Sequence, residues 1–149
     1  MSAGKKAVKD GANFKAQVET TLRVNGFRCV PAKEFVTRLT RGESEVYAVN
    51  YEVGKNIYGK PWRANFVYRG KNGTRLIHAR WQQASGSVDE KFPFFAQNAE
   101  LLGLNSIFVL GGVGFKPEAR TWLENQKGGR IIHVFAEEEF QEWANNGNL

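Results

Sequence analysis

The sequence predicts a mixed α/β domain of order α(α)βββαβαβα, with antiparallel strands first and parallel crossovers after them. Three observations carry this expectation. Phe14, Val18 and Leu22 recur every four residues, the spacing of one buried helix face. Tyr47, Val49, Tyr51 and Val53 alternate with smaller or polar residues, and two further strand-like runs meet at Lys71-Asn72-Gly73. Beyond Ser87, short apolar runs alternate with helix-like segments, the pattern of βαβ units.

Taken in order, residues 1–11 read as a flexible basic tail, and residues 12–149 as a single domain. Asn13 is the expected N-cap of the first helix, and Asn25-Gly26 its stop. Residues 32–40 suggest a short second helix with Phe35 and Leu39 on one side. Strands are expected at 47–53, 62–69 and 74–82, with Gly59-Lys60-Pro61 as punctuation. Ser87 to Glu90 read S-V-D-E, a capping box opening a helix that runs to Leu102, stops at Gly103 and is disturbed at Pro93. Ile107–Leu110 reads as a buried strand, Pro117–Glu124 as a helix, Arg130–Phe135 as a strand and 136–146 as a last helix.

A chain of 149 residues buries roughly 70% of its unfolded surface, enough for an independent core. No apolar run approaches the roughly 20 residues a membrane span needs, and the N-terminal stretch lacks the apolar centre of a signal peptide. The single cysteine, Cys29, has no internal partner for a disulfide. A cytoplasmic, reducing location is therefore expected. The net charge of +6 is concentrated: residues 1–41 hold nine Lys/Arg against three acids, while residues 42–149 are balanced. Such an end steers toward phosphate backbones, or simply solvates a tail.

The hairpin at residues 62–82 holds the candidate site. A two-residue Asn72-Gly73 loop pairs Lys71 with Thr74, and places Asn65 opposite Arg80 and Val67 opposite His78. One face then carries Ala64, Phe66, Tyr68, Ile77, Ala79 and Trp81. The other carries Arg63, Asn65, Val67, Leu76, His78, Arg80 and Gln82. That polar face is either the solvent side of an antiparallel hairpin or a site.

Three stretches bear on the choice: Arg63-Ala64-Asn65-Phe66-Val67, then His78-Ala79-Arg80-Trp81-Gln82, then Ser85-Gly86-Ser87-Val88-Asp89-Glu90-Lys91. Over roughly residues 12–145 the sequence resembles the PD-(D/E)XK nuclease superfamily, most closely its small bacterial and phage members. In those, D-F-V is followed by E-x-K-W-Q and S-G-S-x-D-E-K. The resemblance implies a restriction-endonuclease-like mixed β-sheet flanked by helices. It places Asn65, His78 and Arg80 at the catalytic positions, with Gln82 beside them and Glu19 as the acid of the first helix.

The departures fall on the chemistry. The family holds Mg²⁺ with Asp and Glu and uses Lys to activate water or steady the phosphorane charge. Asn65 lacks the charge, His78 offers nitrogen, a poor Mg²⁺ ligand, and Arg80 cannot act as a base. Arg80 still suits a phosphate. The resemblance with these departures implies a protein that binds nucleic acid, DNA foremost, without the usual hydrolysis, and with no resident cofactor. Lys5, Lys6, Lys9, Lys15, Arg63, Ser85, Ser87 and Lys91 are the expected nucleic-acid contacts. Amide groups at the start of the helix after Ser87 would assist. One alternative is an active endonuclease with a rebuilt site, using Mg²⁺ or Mn²⁺, carboxylates of Glu19, Asp89 or Glu90, and His78 as general base. Another is a regulator that binds a protein partner. Many members of the superfamily act as homodimers.

Other motifs read as structural. Gly111-Gly112-Val113-Gly114 lacks both the G-K-S/T ending of a P-loop and the spacing of a dinucleotide site, and reads as a turn with close backbone packing. His133 reads as a core or edge histidine. Glu137-Glu138-Glu139 suits the positive end of the last helix.

Overall fold

A computed structural model describes residues 3–84 and 86–149, with side chains from Lys9 onward. Six strands form one sheet in the order β1-β2-β3-β4-β5-β6: Arg28–Cys29, Val46–Lys55, Pro61–Gly70, Gly73–Trp81, Ser106–Gly111 and Ile131–Ala136. The β2–β3 and β3–β4 pairs are antiparallel, and β4–β5 and β5–β6 are parallel, as expected. The two-residue β1, parallel to β2, carries too little pattern to be legible in the sequence. Among the described residues, five α-helices flank the sheet: α1 (Ala3–Val24), α2 (Phe35–Thr40), α3 (Phe92–Leu102), α4 (Pro117–Glu124) and α5 (Glu137–Trp143).

Phe14, Val18 and Leu22 seat α1 on Phe66, Tyr68, Ile77, Ala79 and Val109, where Phe140 of α5 joins them. The alternate residues of the same strands face the other way. Phe108, Leu110 and Val134 pack on Phe92, Phe95 and Ala99 of α3 and on Leu123 of α4. Val46, Ala48, Val67 and Leu76 pack on Phe35 of α2. The sheet therefore has an α1/α5 face and an α2/α3/α4 face.

Two helix starts differ from expectation. The helix α1 opens at Ala3, so it takes in residues 3–11 of the expected tail, and Asn13 lies inside the helix rather than capping it. Ala3, Lys5, Lys6, Ala7 and Lys9 are strong helix formers that outweigh Gly4 and Gly11. The side chains of Lys5 and Lys6, and Ser85 altogether, lie outside the described residues. At the other start, the chain turns through a 3₁₀ segment, Asp89–Lys91, before α3 begins at Phe92, and no side-chain cap forms. Ser87 is exposed instead of capping. Pro93 occupies the first turn of α3, where a missing N–H costs nothing, so it starts the helix and does not disturb it.

The hairpin register also moves. Gly70 pairs with Gly73 and Val67 with Leu76, so the turn is Lys71-Asn72 and Gly73 closes it at φ 100°. Moving both partners together preserves which residues share a face on β4 and the neighbouring half of β3.

Candidate functional site

The expected grouping of Asn65, His78 and Arg80 on one face breaks at Asn65. The β3–β4 ladder ends at Phe66–Ile77, and the strands part beyond it. Opposite Asn65, Asn50 of β2 takes a left-handed φ of 51°. Residues beyond this kink change face: Tyr51, Val53 and Ala64 pack with α2, and Trp62 with α3, although strict alternation would turn Ala64 toward α1. Asn65 is left bordering a hollow on the α1 side with Lys15, Glu19, Val49 and Asn50. Its Oδ1 accepts a hydrogen bond from the Ala79 N–H at 2.8 Å, satisfying a donor that the parted ladder leaves without a backbone partner.

Glu19 shares that hollow but is committed elsewhere. The Tyr47 hydroxyl donates to Glu19 Oε2 at 2.6 Å, Arg23 Nε donates to the Tyr47 oxygen at 2.7 Å, and Arg23 Nη2 reaches Glu19 at 3.0 Å. Burial, then the bond to Glu19, pushes the Tyr47 hydroxyl well above its ordinary pKa, so it stays a proton donor. Removing the hydroxyl by Tyr47→Phe should cost about 1–3 kcal/mol, because a charge-assisted bond on a buried ring is lost. The midpoint of urea unfolding measures it, and an unchanged midpoint would show that Glu19 is free for another task.

His78 and Arg80 lie on the opposite face. His78 is 2% exposed and sits among Trp62, Phe95 and Phe108, nearly parallel to Phe95. Burial, and secondarily Arg80, lower its pKa to about 3, and its Nδ1 has no partner among the described residues. The imidazole is therefore neutral at ordinary pH and sealed by aromatic rings.

Arg80 is the next residue outward on that face. Its guanidinium carbon stands 5.0 Å from the centre of the Phe95 ring. Among the described residues its buried Nε has no hydrogen-bond partner and it makes no ion pair. Burial lowers its pKa from the ordinary arginine value. Arg80 borders a hollow of about 490 Å³ with Tyr58, Trp62, Phe94, Phe95 and the rim residues Val88, Glu90 and Lys91.

The remaining expected contacts scatter. Gln82 is buried, and its side chain ties three segments together: Nε2 donates to the Gly114 carbonyl at 3.0 Å, and Oε1 accepts from Val88 N–H at 3.0 Å. It is a clamp between the end of β4, the glycine loop and the approach to α3, not a member of the Asn65 hollow. The glycine loop is close backbone packing, as expected, since Gly114 N–H donates to the Gln82 carbonyl at 2.6 Å. Asp89 is also buried, with Oδ2 accepting from Lys116 N–H at 3.4 Å. Arg63 is exposed and lies 4.0 Å from Glu52. Lys9 and Lys15 are exposed on α1, across the sheet from Arg80 and Lys91. Glu139 caps α5 by accepting from Ala136 N–H, and this bond and Arg120 hold its carboxyl below the usual range. His133 stacks against Phe135 and lies tilted against Trp143.

Sequence reasoning missed Tyr58, Trp62, Phe94 and Phe95 as neighbours of Arg80. Each aromatic was visible, but they come from a turn, a strand and a helix that only the fold brings together.

A family model described as a PD-(D/E)XK nuclease superfamily domain matches residues 6–148, nearly the whole chain. The six-stranded mixed sheet with its flanking helices is consistent with the restriction-endonuclease-like fold of that superfamily. No curated protein and no solved structure matches the chain.

Proposed function

The chain belongs to the PD-(D/E)XK nuclease superfamily, and we propose from that membership that it binds nucleic acid, DNA foremost, without the metal-dependent hydrolysis of the family. Arg80 carries the proposal. A guanidinium without an acidic partner, held against an aromatic ring at the edge of a hollow, is expensive unless an anion completes it. A phosphate oxygen pair accepts its forked donors in two parallel hydrogen bonds, and Lys91 adds a second cation at the rim.

The residues at the family's catalytic positions do not fit Mg²⁺. A hard cation takes oxygen ligands with negative charge. Asn65 is neutral, and its oxygen is occupied by the Ala79 amide on the other face. His78 offers a sealed nitrogen, and Arg80 repels a cation. Glu19 is bound by Tyr47 and Arg23, and Asp89 is buried against the Lys116 amide. Among the described residues, no three His, Cys, Asp or Glu side chains converge. A general base must also reach its proton, which the aromatic wall around His78 prevents.

The test is binding and cleavage of duplex and single-stranded DNA with Mg²⁺, Mn²⁺ or EDTA. Binding is expected in all three, falling steeply with salt as phosphate-bound counterions are released. Arg80→Ala should weaken it about ten- to a hundredfold, the loss of a charge-assisted contact worth roughly 1–3 kcal/mol. Robust Mg²⁺-dependent cleavage by the wild-type chain would overturn the proposal in favour of a rebuilt nuclease site. Salt-insensitive absence of DNA binding would favour a protein partner.

A further inference from the structure

We propose that the Arg80 hollow receives a single unpaired nucleobase, stacked on Tyr58 and Phe94, with Arg80 and Lys91 on the adjoining phosphate. This rests on the nucleic-acid reading and names the nucleotide that the same hollow takes. Tyr58 is 74% exposed, yet its ring is stacked on Phe94 at 5.4 Å and 20°. Trp62 stands edge-on to Phe94 at 5.4 Å and 88°, forming a second wall. Apolar aromatic surface left open to water beside an unpaired guanidinium is the combination that binds a flat ring bearing an anion.

The platform is preformed. Asn56 Oδ1 accepts from the Tyr58 and Lys60 amides at 2.9 and 3.1 Å, and the buried Asn98 Oδ1 accepts from Ile57 N–H at 3.0 Å. The turn that carries Tyr58 is thus tied both to itself and to α3, so little ordering is needed on binding. The volume of about 490 Å³ lies within the range of small-ligand sites. Glu90 also borders the hollow, which leaves an excess of one positive charge. The bases of an intact duplex are stacked on one another and offer no free π-face to Tyr58. A base must leave its stack to reach these rings.

Three labelled DNAs compared by fluorescence anisotropy against the full chain test this: a duplex with one unpaired adenine, the same duplex fully paired, and the same bulge with an abasic residue. The unpaired base should bind about 5- to 100-fold tighter than either control, the range that stacking of one base supplies. Tyr58→Ala, in an exposed turn, should bring the unpaired-base DNA down to the affinity of the two controls, and Phe94→Leu should narrow the same gap. Arg80→Ala should weaken all three. Equal binding of the three DNAs, or a preference that survives both aromatic substitutions, would overturn the stacking site and leave the nucleic-acid reading standing. Failure of all three to bind would overturn both.

Discussion

Lowering the pH from 7 to 4.5 should destabilise the wild-type chain by about 2–3 kcal/mol more than a His78→Phe variant. In the folded chain, burial among Trp62, Phe95 and Phe108 and the nearby Arg80 depress the His78 pKa to about 3. In the unfolded chain it returns to its ordinary 6.5. The unfolded state therefore takes up a proton first as the pH falls. Stability from this group is fully present above pH 6.5, is lost progressively as the pH drops below it, and reaches its floor near pH 3. Each unit is worth about 1.4 kcal/mol, and two units separate 6.5 from 4.5. Other groups titrate in the same window, so the comparison with His78→Phe isolates the histidine, and the phenyl ring keeps the aromatic packing. Urea unfolding at a series of pH values measures the difference. Parallel stability curves for the two proteins would mean that His78 is solvated and available for proton transfer, which would revive the general-base reading.

Replacing Gly112 by alanine should cost about 2–5 kcal/mol, far more than the same change at Gly26. Both residues have φ in the left-handed region, 83° and 89°. A Cβ at Gly26 meets open space, so only backbone strain is added there. A Cβ at Gly112 runs into the backbone carbonyl of Gln82 at the end of β4, which has no flexible end to swing away. Pushing that carbonyl aside also disturbs the Gly114–Gln82 bond and the Gln82 side-chain bonds to Gly114 and Val88. The approach to α3, and with it the Val88–Lys91 rim of the Arg80 hollow, should loosen. Thermal unfolding of the two variants decides the matter. Equal losses would show that the loop accommodates a side chain and that Gln82 is not a clamp.

Much of the site is one face of one strand, and that part was readable. His78 and Arg80 two residues apart on β4 share a face under any register, and the shifted hairpin turn leaves this untouched. Asn65 was not readable in the same way. Its placement depends on a left-handed residue in the neighbouring strand and on a side chain standing in for a backbone acceptor. Period-two alternation carries no information about either. Glu19 matched the expected acid of the first helix, but the Tyr47 hydroxyl and Arg23 that occupy it come from elements known only once α1 is docked.

By itself the sequence determined the α/β order, the face that α1 buries, the hairpin and the family. These are set by local periodicity, turn residues and short motifs, each contained within a few residues of chain. Tertiary structure alone decided that Asn65 and Arg80 stand on opposite faces, that Gln82 and Asp89 are buried supports, and that four aromatic rings surround Arg80. Those outcomes depend on which distant segments meet, and on which buried donors and acceptors must then find one another.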